Sequence, residues 1–260
     1  MKILLTNDDG YNALLFQILV ANLKEQTWIS DLQIAVPAKE QSWRGTSMSG
    51  HGVIHLQEGE VSGCKAILID GTPADCVDWG VHNLFQDKPD FVISGVNCGE
   101  NTGLGFVASS GTVGAALHAN LMNPSITGVA ISQCFFDSDK YRRVKSANLS
   151  RQERDHLFSE VPKALDKIWE FLKSREDFPH FDGVVSRTWS FNIPDQAASE
   201  LKIVQAKIGK SVLGRCFKKV DNGFKHQLSR YFEDTDPQTD GQIVRAGYIA
   251  FTEIDLKKLL

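Results

Sequence analysis

The chain has 260 residues, with 28 basic and 32 acidic side chains, a formal net charge of -4, 42% hydrophobic residues and 23% charged ones. That is enough for one large α/β domain or two small ones, with a sizeable buried core. The mildly acidic balance leaves no electrostatic footprint for duplex nucleic acid or an anionic membrane, so a phosphate-bearing substrate needs a local positive feature such as a metal ion or a helix N-terminus.

Residues 2–5 form an apolar run ended by the polar cluster Asn7-Asp8-Asp9, the pattern of a buried parallel strand. The run is too short for a secretion signal, and no stretch approaches the roughly 20 apolar residues of a membrane helix. Residues 13–23 carry apolar side chains at helical spacing. Residues 32–36 read as a second strand stopped by Pro37, and residues 64–69 as a third stopped by Asp70-Gly71. Thr72 and Pro73 make a good N-cap and first helical position for a helix to about residue 84. Residues 91–94 read as a fourth strand, followed by a loop rich in Gly and Asn. Ser110-Gly111-Thr112 opens an Ala-rich helix to about residue 121, and residues 126–131 read as a fifth strand.

This alternation predicts a three-layer α/β/α Rossmann-like core over residues 1–132, with a mostly parallel sheet and helices on both faces. A charged helix over residues 151–173 follows. Short segments around Val184, Leu201, Val212, Phe224 and Ile243 are separated by turn residues at Pro194, Gly209, Asn222-Gly223 and Asp240-Gly241. They read as hairpins or extended arms rather than βαβ units. The expectation is one domain, residues 1–260, in which residues 133–260 form a β-hairpin-rich extension. The cysteines (Cys64, Cys76, Cys98, Cys134 and Cys216) are odd in number, scattered and without a CxxC pair. That argues against a disulfide framework or zinc site and for reduced thiols in a cytoplasmic protein.

In a doubly wound sheet, ligands bind beyond the carboxyl ends of the strands. Those ends carry Asn7-Asp8-Asp9, then Lys39-Glu40-Gln41-Ser42, then Asp70-Gly71-Thr72, then the loop from Gly95 to Gly103. Two adjacent ionised carboxylates repel by roughly 4 kcal/mol at about 4 Å and an effective dielectric near 20. The tripeptide Asp8-Asp9-Gly10 alone reads most simply as a solvated turn, but its place directly after a buried strand calls for a cation. Carboxylate, hydroxyl and amide oxygens suit Mg²⁺, Mn²⁺ or Ca²⁺ better than zinc. The amides opening the helix at Ser110-Gly111-Thr112 are unpaired donors with partial positive charge, ready for a phosphate; plain capping is the alternative for Ser110 and Thr112. The Gly-rich loop is neither a Walker A loop nor a Rossmann fingerprint. Metal ligands facing a phosphate cradle point to metal-assisted phosphoryl hydrolysis.

Five stretches in the same order resemble the SurE family of stationary-phase survival proteins: Leu5-Thr6-Asn7-Asp8-Asp9-Gly10; Val36-Pro37-Ala38-Lys39-Glu40-Gln41-Ser42; Gly71-Thr72-Pro73-Ala74-Asp75-Cys76-Val77; Ser94-Gly95-Val96-Asn97-Cys98-Gly99-Glu100-Asn101-Thr102-Gly103; and Ser110-Gly111-Thr112-Val113-Gly114-Ala115-Ala116. They cover about the first half of the chain, with weaker echoes at Phe191-Asn192-Ile193-Pro194 and Ala246-Gly247-Tyr248-Ile249. The resemblance implies a metal-dependent phosphomonoesterase acting on nucleoside 5'-monophosphates, with 3'-monophosphates or short polyphosphate as further substrates. It implies one Mg²⁺ or Mn²⁺ per subunit on Asp8, Asp9, Ser42 and Asn97, a phosphate among Asn101, Ser110, Gly111 and Thr112, and Asp8 or Asp9 orienting or deprotonating the attacking water. It also implies a homodimer or homotetramer joined through C-terminal arms. The chain departs from the family pattern at Ala38, Ser109, residues 13–15 and Thr252-Glu253-Ile254, without removing an implied ligand.

Two alternatives stay open on the residues. A phosphoacceptor receiver domain also places an acidic pair after strand one, with Asp70 in the acceptor slot, but Gln133-Cys134-Phe135 lacks the Lys such domains carry. A non-catalytic nucleotide-binding module would use Asp8-Asp9 as a structural turn. The seven histidines show no metal spacing; His118 reads as packing or surface, and His226 and Arg230 as arm residues that are solvated or close over substrate from a neighbouring subunit.

Overall fold

The computed structural model describes residues 1–175, 187–228, 230–232 (backbone only) and 234–255; the segment expected around Val184 lies outside the described residues, as does the side chain of Arg230. The first half runs β1 (Lys2–Thr6), α1 (Leu14–Lys24), β2 (Asp31–Pro37), β3 (Leu56–Val61), β4 (Cys64–Ile69), α2 (Pro73–Asn83), β5 (Phe91–Cys98), α3 (Gly103–Ser109), α4 (Gly111–Met122) and β6 (Thr127–Gln133). The second half runs α5 (Ser138–Lys145), α6 (Arg151–Lys173), β7 (Arg187–Ile193), β8 (Ile203–Gln205), β9 (Val212–Leu213), β10 (Phe217–Val220), β11 (Gly223–His226), β12 (Arg230–Phe232), α7 (Asp240–Arg245) and β13 (Ile249–Asp255).

Nine strands form one sheet in the order β3-β4-β2-β1-β5-β6-β7-β13-β8. The neighbours from β4 through β7 are parallel; β3 and β13 pair antiparallel with β4 and β7. Both faces are covered, which explains why β1 reads as continuously apolar. Ile3 and Leu5 pack with Phe16 and Leu19 of α1 and with Leu165 and Trp169 of α6. Leu4, on the other face, packs with Val77 of α2 and Ala115 of α4. Each such buried side chain contributes roughly 1.5–3 kcal/mol relative to exposure. The expected cap of α2 is present as a reciprocal box: the Thr72 hydroxyl accepts from the Asp75 amide at 3.2 Å, and the Thr72 amide donates to the Asp75 carboxylate at 2.7 Å.

The sheet does not end at residue 132. β7 lies parallel to β6 after the α6 crossover, and β13 and β8 extend it further. β7 alternates aromatic and small polar side chains. Trp189 and Phe191 join an apolar layer, Thr188 bonds Asn120 and Asn192 bonds Asn101, yet these four and Ser190 are all buried. Ile243 belongs to a short helix, not a strand. That helix is anchored by Asp240, whose carboxylate accepts from the amides of Gly103 (2.9 Å) and Gly209 (3.0 Å). The expected hairpin is β10–β11, with Val220 opposite Gly223 across the turn.

A candidate active site at the strand ends

Asn7 follows β1 fully buried and clamps the turn. Its amide nitrogen donates to the Gly10 carbonyl at 2.9 Å, and its oxygen accepts from the Gly10 amide at 3.0 Å. Gly10 has φ +88°, and a Cβ there would stand 3.3 Å from the Lys39 backbone. The clamp holds Asp8 and Asp9 inside, 3% and 8% exposed. The Gln41 amide donates to the Asp8 carbonyl at 2.7 Å, which docks the Ser42 loop against the pair.

The two carboxylates have different partners. Asp8 accepts from the Thr112 hydroxyl at 2.5 Å, and a Cβ at Gly111 would fall 2.8 Å from Asp8 Cβ. The N-terminus of α4 therefore rests directly on Asp8. Asp9 accepts from the Cys98 amide at 2.7 Å and from the Lys145 ammonium. Lys145 Nζ also stands 3.1 Å from Ser42 Oγ and 3.2 Å from Glu40 Oε1.

A bulge in β5 aims Asn97. The β5–β6 register shifts between Ser94 and Asn97, and a bulge of this kind re-aims a side chain at a sheet end. Asn97 Nδ2 donates to the Gly99 carbonyl at 2.9 Å, a bond that does not use its amide oxygen. Asn101 is locked by three contacts. Its side chain donates to Ser132 at 2.8 Å, its amide to Asn192 Oδ1 at 2.9 Å, and its carbonyl accepts from Asn192 Nδ2 at 3.3 Å. The Ser110 hydroxyl accepts from the Val113 amide at 3.0 Å, a plain N-cap that leaves the first amides of α4 unclaimed by that oxygen.

Asp8, Ser42, Asn97, Asn101 and Ser110 line one cleft of about 770 Å³. Asp9, Gly111 and Thr112 stand behind its wall, each touching a residue at the site. Burial pushes the Asp8 carboxyl up to about 7; the neighbouring Asp9 charge adds to this and the Thr112 hydrogen bond opposes it. Burial also raises Asp9, against the pull of Lys145. Burial disfavours the Lys145 charge, but the Asp9 and Glu40 carboxylates outweigh it and hold the ammonium well above the usual lysine range.

The donor set fits a divalent ion. Asp8, Ser42 and Asn97 line one cleft, and the Lys145 ammonium bridges the buried Asp9 carboxylate to the Ser42 hydroxyl, the place of a cation. Among the described residues no group of three or more His, Cys, Asp or Glu is placed to hold a metal, so a site here depends on Ser42 and Asn97.

Other expectations fall elsewhere. Asp70 pairs with Lys39 at 3.7 Å on the surface and does not line the cleft, which deprives the receiver reading of its acceptor. His118 is buried near Asp78 at 4.0 Å, away from the cleft. His226 is exposed, but it lines the cleft from its own chain, 5.2 Å from the Trp43 ring. Sequence reasoning missed Lys145, Ser132 and Trp43. Asn192 lay in a noted echo and was given no role. Lys145 is 136 positions from Asp9, and no local pattern marks it.

The fold matches the crystal structure of the SurE protein from Aquifex aeolicus with a TM-score of 0.69 at 23% identity, over 98% of this chain and 94% of that one. A protein named 5'-nucleotidase SurE from Methanopyrus kandleri is 40% identical over 206 residues, 78% of this chain and 71% of its own. Another of that name from Archaeoglobus fulgidus is 28% identical over 98% of this chain and 92% of its own. A third from Geobacter metallireducens is 40% identical over about half of each chain, 51% and 49%. The family model described as Survival protein SurE matches residues 3–214, so the chain, with its acid pair, Asn97 loop and Ser110-Gly111-Thr112 helix opening inside that span, belongs to the SurE family.

Proposed function

We propose that this chain is a phosphatase of nucleoside 5'-monophosphates, releasing nucleoside and phosphate with one Mg²⁺ or Mn²⁺ per subunit. Asp8, Asp9, Ser42 and Asn97 hold the ion. The observation that carries the reading is the buried pair Asp8-Asp9 at the cleft, with Asp8 held against the N-terminus of α4. The names of its relatives support the nucleotide substrate. When bound, the ion supplies Lewis acidity to the phosphate ester and to the attacking water.

The chain's own groups do the rest. The amides at the start of α4 take phosphate oxygens, whose charge the helix dipole favours. The Thr112 hydroxyl is spent on Asp8, so Thr112 contributes its backbone. Asn101 and Ser110 flank the phosphate from the cleft wall. Asp8 or Asp9 orients the water and takes its proton. Trp43, Phe106 and His226 offer the nucleoside an aromatic wall.

The β9–β12 and β10–β11 arms hold subunits together as a dimer or tetramer. Support comes from their bare apolar side chains: Phe217 is 57% exposed and Phe224 is 70% exposed. The double replacement Phe217→Asp with Phe224→Asp is expected to yield a monomer by light scattering; an unchanged oligomer would discard the arms as the interface. The whole chain, residues 1–260, then works as one unit, with β7, β13 and α6 completing the core begun by residues 1–132. Five free cysteines support action in the reducing cytoplasm.

The deciding experiment strips the protein with EDTA, restores Mg²⁺ or Mn²⁺, and assays phosphate release from 5'- and 3'-nucleoside monophosphates and short polyphosphate. Metal-dependent release, fastest from a 5'-monophosphate, is expected. Nucleotide binding that ignores EDTA, with no release under any metal, would instead assign a non-catalytic binding module.

A further inference from the structure

The acid pair is buried, and in this structure its countercharge comes from within the chain. Lys145 Nζ ion-pairs with Asp9 Oδ1 and stands 3.1 Å from Ser42 Oγ. Asp9 and Ser42 are two of the four side chains assigned to the metal. A divalent ion and an ammonium on the same carboxylate oxygen repel, so one displaces the other. We propose that Lys145 is a tethered competitor for the divalent ion, occupying Asp9 and Ser42 until metal displaces it. The proposal rests on the metal reading above.

Three features support it. Lys145 is the last residue of α5. In the same turn Arg142 pairs with Asp139, and Arg143 with Glu153 at 2.6 Å, so Lys145 is the α5 basic group that reaches the acid pair. Its four-carbon stem is flexible, and an ammonium makes point contacts that rearrange easily, unlike the fixed fork of a guanidinium. It also has somewhere to go. Glu40 lies at the rim, 52% exposed and 3.2 Å from Nζ, and is not among the assigned ligands. The ammonium can leave Asp9 and Ser42 while keeping a carboxylate partner.

Two consequences follow. In the metal-free site the ammonium offsets the Asp9 charge. Metal affinity is lowered, because every binding event breaks the Lys145 contacts.

The test is calorimetric titration of the stripped protein with Mn²⁺, comparing wild type, Lys145→Met and Asp9→Asn. Lys145→Met is expected to bind Mn²⁺ at least about tenfold more tightly, the loss of a competing ligand appearing directly in Kd. Asp9→Asn is expected to bind little. Equal affinity in wild type and Lys145→Met, with binding lost in Asp9→Asn, would overturn the competitor role and leave the metal site standing. No binding in either wild type or Lys145→Met would overturn both. Lys145→Gln, which keeps length and polarity, repeats the comparison if the methionine variant does not fold. A readout on unmodified protein runs alongside: the rate of reductive methylation at Lys145, followed by mass spectrometry. Mg²⁺ is expected to raise it severalfold by freeing the amine; an unchanged rate would count against displacement.

Discussion

Asp8→Asn is expected to lower metal-dependent phosphate release from nucleoside monophosphates by roughly 10²- to 10⁴-fold, the range for removing a positioned general base. The substitution deletes a ligand charge and a proton acceptor while keeping the shape beside Thr112. Stability should move the other way. Asp8 titrates near 7 in the folded protein against a usual 3.8, so the folded state holds the extra proton. The metal-free wild type therefore loses stability as pH rises from about 4 to about 7. Asparagine removes that loss, and metal-free Asp8→Asn at pH 8 should melt no lower than wild type. The same proton governs loading. Wild-type Mn²⁺ affinity should rise with pH, by at most ~10-fold per unit for one released proton, and level off above about 7. Asp8→Asn should bind weakly with little pH dependence. Full turnover in Asp8→Asn would remove Asp8 from the chemistry; a wild-type affinity flat from pH 5 to 8 would show that no site proton is released.

Gly95→Ala is expected to damage both the stability of the protein and the site. Gly95 has φ +136°, and its Cβ would lie 2.2 Å from the Ile131 carbonyl oxygen in the neighbouring strand. A strained backbone costs about 1–3 kcal/mol, and forcing atoms into a packed core costs about 1–3 kcal/mol more. For a chain of this size each kcal/mol lowers Tm by roughly 2–4 °C, so a fall on the order of 10 °C should appear in thermal denaturation. Mn²⁺ binding should fall with it, since the bulge that contains Gly95 aims Asn97. Gly50→Ala is the control: nothing lies within 4 Å of a Cβ there. A Gly95→Ala protein that melts with wild type would mean the β5 bulge relaxes freely.

What could be read in the residues was whatever short-range physics governs. β1, β2, β4, β5 and β6 each sit within a few residues of their expected places, because strands buried on both faces are bounded by polar or Pro-Gly breaks. The N-cap of α2 followed from Thr72 and Pro73 alone, while the reciprocal Asp75 bond came with the structure. β7 and β13 were missed because their second faces are covered only in the fold: Thr188 of β7 meets the Ala116 carbonyl and Asn120 of α4, and Ala250 of β13 packs with Ile243 and Val244 of α7. Alternation with one face in water and alternation with two buried faces of different polarity look identical in a sequence.

The sequence by itself determined the acid pair after β1, the helix opening at Ser110-Gly111-Thr112 and the order of strand-end loops, because local pattern encodes each. Only the tertiary structure decided which groups face those carboxylates. It set Thr112 on Asp8, the Cys98 amide and Lys145 on Asp9, and Asn192 behind Asn101. These contacts join residues 89 to 136 positions apart. A buried charge takes the nearest countercharge in space, and a linear pattern of residue types does not carry that distance.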